Sequence, residues 1–373
     1  NTIGNIADDA GYAAAPSLAL AGRGIEVVNN AGGNVLIDGN VFAPGAGQFV
    51  RVAVLVDSGV NNVTFNATDA SFGDAIVGAD TFTNGNVGAY YINQGSTTTN
   101  TFNVAVSQSI GASSLTTGGA IPNAFARFDT AIDLAASGST LTATAGDWYE
   151  ALDVDKSLTI RGAQAGVSAV SGGRTSGGTS ETSIRVGGTA VTVRADNVTL
   201  DGLDISVTSG GGVLADTASG NRSGLTVANC FVRRSGAPAG TGIGELGANG
   251  LAGSNTIAGN DIAGFGFGIN IANAGPAIGN FAISGNRVAS DSTALFMVGA
   301  ANLTLSGNTL TGGGFYAAEV QSSTVTGTTA VTLTGNTVTT GTGGINGLAF
   351  SDGTGGGAMA LTFGAGNTLS TTG

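Results

Sequence analysis

Carboxylates and guanidinium groups are the side chains in this sequence whose types and spacing could do chemistry. Asp196, Asp201 and Asp204 fall within nine residues in "RADNVTLDGLDI", Arg233 and Arg234 follow in "CFVRRSG", and Glu245 lies beyond. Three such carboxylates could gather a calcium ion, a hard cation that takes oxygen ligands. Pairing is the simpler reading. Asp204 and Arg233 stand 29 residues apart, so a chain that returns on itself once in that interval would stack opposite charges on neighbouring strands. Glu150 and Asp153 could be taken for the two carboxylates of a glycosidase, but among 24 acids such a pair arises by chance, and a solvated rim accounts for it. There is no His, and Cys230 is the single Cys, so a His base, a Cys/His metal centre and an intrachain disulfide are all excluded. No Gly-x-Gly-x-x-Gly leads from a strand into a helix, and no Walker loop occurs. The expectation is no cofactor, with calcium as the one ion these residues could take.

Strands and tight turns must position these groups. The chain has 373 residues, 42% of them hydrophobic, enough for one large or two ordinary domains. Only 10% are charged, and the 66 glycines accompany many Thr, Ser, Asn and Val residues, a mixture suited to pleated strands joined by bends. Net charge is −12 with no Lys or Arg run, which argues against a nucleic-acid partner. No apolar run approaches the roughly 20 residues of a membrane span. The opening "NTIGNIADDAG" lacks a signal peptide's charged and apolar regions and does not start with Met, so the chain reads as mature, processed or excised.

One phrase recurs along the chain. "NTIAGNDI" at 255, "FAISGNRV" at 281, "LTLSGNTL" at 303 and "VTLTGNTV" at 331 share apolar residues flanking a polar one, then Gly-Asn, then another apolar residue; "NVLIDGNVF" at 34 is an earlier copy. The asparagines fall at Asn260, Asn286, Asn308, Asn336 and Asn367, at intervals of 26, 22, 28 and 31. Unequal intervals with one constant corner predict an all-β, right-handed parallel β-helix, whose coils stack at about 4.8 Å and whose turns vary in length. Each corner Asn is expected to bend the chain through a left-handed backbone and to hydrogen-bond the Asn of the next coil. An antiparallel sandwich is the alternative, but hairpins do not require one such corner per 22 to 31 residues.

The run "GDWYEALDVDKSLTIRGAQAG", then "VTVRADNVTLDGLDIS", then the Gly-Asn coils resembles the pectin-lyase-like superfamily, especially its NosD-like parallel β-helix repeats. The likeness covers residues 124 to 373 and implies a β-helix whose N-terminal end is capped by an amphipathic helix. Asn123 can cap such a helix near residues 124–136, with Phe125, Phe128, Ile132 and Ala135 on one face and Ser137-Gly138 at its end. The expected domains are therefore 1–122, terminal coils plus a connecting segment, and 123–373, the capped β-helix.

For function the resemblance implies several classes, since the superfamily holds lyases, hydrolases, adhesins and inert scaffolds. Its polygalacturonase-like members need Gly-His-Gly and Arg-Ile-Lys, both absent here, and its pectate-lyase-like members need calcium-gathering carboxylates near an Arg. Trp148 and Tyr149 are candidate glycan contacts, Trp148 matching a position used near the family's cap; Tyr90, Tyr91, Phe315 and Tyr316 are further aromatic candidates. Thr-rich stretches such as "STTTNTF" at 96 and "STVTGTTAVTLTGNTVTTGTGG" at 323 could bind ice or a crystalline polysaccharide, though an ice face needs a constant coil length. The expectation is an extracellular structural protein of a bacterial surface, an adhesin stalk, surface-layer unit or filament. A polysaccharide lyase or hydrolase and a carbohydrate- or ice-binding module are the alternatives. Because "GAGNTLSTTG" followed by "NTIGNIADDAG" reads as an unbroken run of coils, the chain is expected to be one period of a longer array or a subunit that self-associates head to tail, with surface polysaccharide as a second partner to consider.

Overall fold

The computed structural model describes residues 128–371 apart from 248, 273–278, 315, 323–327, 342–345 and 352–356. Before these it describes 2–3, 23–28, 34–37, 41–42, 50–56, 60–69, 80–82, 87–93, 101–105, 110–116 and 120–125. Nearly all of the described structure is β, and most strands pair in parallel in curled sheets, an arrangement compatible with a parallel β-helix or a similar solenoid. The chain divides into two compact units, Asn1–Gly146 and Asp147–Gly373. No helix among the described residues is long and apolar enough to cross a membrane.

In the first unit, Arg23–Val27, Val50–Val56 and Val87–Asn93 pair side by side in parallel, as do Val35–Ile37, Val63–Asp69 and Thr101–Ala105. Residues 52 to 56 are buried on both faces of their strand, which is why they read as an unbroken apolar run, VAVLV. Coils do not continue to the end of this unit. Ile110–Thr116 and Ala120–Phe125 pair antiparallel, and the latter runs antiparallel to Val87–Asn93. Asn123 therefore belongs to a strand and caps no helix. The helix is Phe128–Leu134, shorter than the expected 124–136; it buries Phe128 and Ile132, rests on Val87–Asn93 and Ala120–Phe125, and is followed by Gly138 in the left-handed region.

The second unit is a stack of coils, each laying strands into three rows. The first row runs through Thr159–Arg161, Thr199–Asp201, Thr226–Ala228, Leu251–Ala258, Gly279–Ser284, Ala300–Ser306, Thr328–Thr334 and Ala358–Phe363. A second row holds Thr182–Val186 and Leu203–Val207, and a third holds Leu152–Val154 and Val191–Val193. The two rows join in the twelve-residue strands Asp261–Ala272 and Arg287–Val298. Alternation along each strand sends every second residue inward. Ile160, Leu200, Val227, Ile257, Ile283, Leu305, Leu333 and Phe363 form one such apolar column, in register from coil to coil. Identical stacked environments make the core continuous, and extra residues are displaced into the turns.

Candidate functional site

The Gly-Asn corner joins the first row to the second. At each coil the asparagine Oδ1 accepts two hydrogen bonds from the preceding coil's asparagine, one from its backbone N–H and one from its Nδ2. The Nδ2 distances are 3.0 Å for Asn260 to Asn286, 3.0 Å for Asn286 to Asn308, 3.0 Å for Asn308 to Asn336 and 3.1 Å for Asn336 to Asn367. Each Nδ2 also donates to a carbonyl, Val227, Ile257, Ile283, Leu305 and Leu333 in turn. The left-handed backbone belongs to the residue before: Gly259, Gly285, Gly307, Gly335 and Gly366 have φ between 62° and 80°. The expectation that the ladder Asn itself bends the chain is thus corrected. Glycine takes positive φ without a Cβ penalty, which leaves the asparagine side chain free to turn inward. In the two preceding coils Asn229 and Gly202 occupy the left-handed place, and Cys230 stands at the head of the ladder, its N–H donating to Asn260 Oδ1 at 2.8 Å. Burial pushes the Cys230 thiol up to about 12, so it is a packing residue rather than a nucleophile.

The acidic and basic cluster disperses into separate structural contacts. Asp204 stacks on Phe231 rather than on Arg233, whose register partner is Ser206. Instead, Asp204 is covered by the segment 162–181, accepting from Ser176 Oγ at 2.8 Å, Gly177 N–H at 2.7 Å and Ser183 Oγ at 3.2 Å. Asp201 accepts from Gly166 N–H at 3.0 Å and Asn229 Nδ2 at 2.8 Å, and Asp196 from Ser223 N–H at 2.8 Å. Arg233 and Arg287 both pair with buried Asp261, while Arg234 donates to the carbonyls of Ala237 and Gly210. Among the described residues no three or more His, Cys, Asp or Glu side chains converge as metal ligands. Of the rim pair, Asp153 meets Arg194 at 2.5 Å, and the same Arg194 reaches Asp216 at 3.1 Å.

Several charged residues escaped the sequence reading, among them Asp261, Arg287 and Arg194 and a pair in the covering segment. Arg174 and Glu181, both buried, pair at 2.5 Å within the covering segment. Arg174 also donates to the carbonyls of Val167 and Asn229 and lies 5.0 Å above the Phe231 ring. In sequence they sit in "GGRTSGGTSET", where nothing distinguishes them from a solvated loop. Glu245 is a different case. It has the same alternation as Ile243 and pairs in register with buried Ala215, so its carboxylate turns toward the apolar interior, where neither oxygen has a hydrogen bond of normal geometry. Burial pushes its carboxyl up to about 7, and the nearby N–H groups of Ala272 and Leu251 counter this only in part.

Trp148 is 4% exposed and offers no face to a glycan, whereas Tyr149 is 77% exposed beside Arg185, Ser206 and Thr208. The Tyr90 and Tyr91 side chains, Phe315 and residues 96–99 lie outside the described residues. Comparison of the chain with protein families, curated proteins and solved structures finds no match.

Proposed function

We propose that this chain is a non-enzymatic, extracellular structural protein of a bacterial surface, built as a right-handed parallel β-helix of the pectin-lyase-like type. One observation carries the reading: the acidic and basic cluster is consumed in holding coils and the covering segment together. No two of its carboxylates are left facing each other across a cleft, as hydrolysis or elimination would need. Right-handedness follows from the strong preference of parallel crossover connections. Incubation with polygalacturonate, alginate and neutral glycans, with calcium present, is expected to release neither unsaturated nor reducing ends. Release that disappears in Asp204→Asn would replace this reading with that of a lyase or hydrolase.

In the same proposal a further coil covers the last described one, and a second copy stacked head to tail is the source of that coil to be tested. On the coil of Ala358–Phe363 and Thr368–Thr371 the inward columns finish in Leu361, Phe363 and Leu369, which are 40%, 58% and 60% exposed. With Leu333, Val338 and Leu348, the last two border a hollow of about 330 Å³. A further parallel coil would cover this apolar surface and satisfy the strand edge. Sedimentation and electron microscopy are expected to show linear assemblies that Phe363→Lys dissolves. A wild-type chain that stays monomeric at high concentration would refute it.

A second reading, an ice- or crystalline-polysaccharide-binding module, is favoured by the register of the threonines. Because extra residues go into loops, Thr309, Thr337 and Thr368 form one outward column and Thr311, Thr339 and Ser370 the next, despite unequal coil lengths. Thr339 and Ser370 hydroxyls hydrogen-bond at 2.9 Å. Thermal hysteresis that Thr337→Lys abolishes would establish it.

A further inference from the structure

On the outer face of the third row, three successive coils bring together a groove of about 330 Å³ that owes nothing to the Asn corner. Asn270, Phe296 and Glu319 stack in register from one coil to the next. Phe267 stands beside them, its ring centroid 6.2 Å from that of Phe296 and tilted by 59°, and Tyr316 adds a third aromatic ring to the lining. Ser292 and Thr293 add hydroxyls, and Glu319 is the charged group among the described lining residues. Asn270 Oδ1 is buried with no hydrogen-bond partner, and Glu319 carries a full carboxylate, one of whose oxygens accepts from Gln321 Nε2 at 2.7 Å. Among the described residues, no Lys or Arg lines the groove. Aromatic faces present the negative side of their quadrupole, so rings, amide oxygen and carboxylate all favour the same sign of ligand.

We propose that this groove binds an organic ammonium group, such as the quaternary ammonium of a choline-like headgroup or a methylated amine. Phe267, Phe296 and Tyr316 pack against its methyl groups, and Glu319 faces its charge, with the buried Asn270 Oδ1 adding a negative dipole behind the lining. The net charge of −12 adds a long-range attraction for cations. An acidic ligand is disfavoured by the same groups, and a neutral sugar would leave the carboxylate without a counter-charge.

The test is a titration of the intact chain, followed by NMR, with choline, with its uncharged isostere 3,3-dimethylbutan-1-ol, and with glucose. Saturable choline binding at least about tenfold tighter than the isostere is expected. Glu319→Gln should remove most of that preference, while Phe296→Leu and Tyr316→Leu should weaken choline about three- to tenfold, each variant retaining the wild-type unfolding midpoint. Equal binding of the isostere, binding of glucose in place of choline, an unchanged preference in Glu319→Gln, or no binding at all would each overturn the proposal. None of these outcomes depends on whether the chain is a structural protein.

Discussion

A single asparagine in the corner ladder carries more than its own hydrogen bonds. Asn308 receives from two donors of Asn286 and gives to Ile283 and Asn336, so its loss strands buried partners on both neighbouring coils. Leaving a buried polar group unsatisfied costs about 1–3 kcal/mol. Asn308→Ala is therefore expected to lose about 2–4 kcal/mol in denaturant unfolding, and Asn367→Ala, which is only part-buried, about half as much. Glu245 makes the opposite kind of residue-scale statement. Its carboxyl lies at about 7 in the fold against an ordinary value of 4.5, so the folded state holds the proton more tightly than the unfolded one. Stability from this group is full below about pH 4.5 and falls as pH rises toward about 7, above which the penalty is complete. Glu245→Gln should flatten that slope and raise stability at pH 8 by about 2–3 kcal/mol, measured as unfolding midpoints across pH 4 to 8.

At the scale of an element, the covering segment 162–181 is held by charge rather than by a ladder of its own. Arg174 and Glu181 are buried against each other, and removing one partner leaves an unpaired charge that costs roughly 3–5 kcal/mol. Glu181→Gln is expected to free the segment first, exposing sites near residues 165–180 to limited proteolysis while the coils beneath stay resistant. Global unfolding at the same denaturant concentration as segment release would show instead that the two are one cooperative unit. The sequence did not announce this element, because its turn-rich composition matches that of any surface loop and its anchor residues meet partners up to 91 positions away.

Across the whole molecule, stability rests on stacked apolar columns, strand ladders and the Asn corner, with no bound ion needed by any of the described contacts. Addition of calcium or a chelator is therefore expected to leave the unfolding midpoint unchanged at constant ionic strength. A calcium-dependent rise that Asp201→Asn or Asp204→Asn removes would show a cation site in the acidic run. Surface pairs such as Arg185 with Asp147 contribute little, so moderate salt should shift stability only slightly.

Coil architecture and corner positions were legible in the sequence because both are local. Alternation of apolar residues sets which side chains turn inward, and Gly-Asn after each such run marks a bend whatever the length of the other turns. What required the tertiary structure was everything set by register between coils. The division of labour at the corner, with glycine bending and asparagine bonding, is invisible in a dipeptide that contains both. Asp204 meets Phe231 and not Arg233 because loop lengths, which residue spacing alone does not reveal, shift the strands by two positions. The inward turn of Glu245, the antiparallel strands that displace the expected cap at Asn123 and the groove assembled from Asn270, Phe296 and Glu319 have the same origin. Each depends on which coil lies above which, and non-local stacking of that kind is settled by the packing of the whole core rather than by any short stretch of chain.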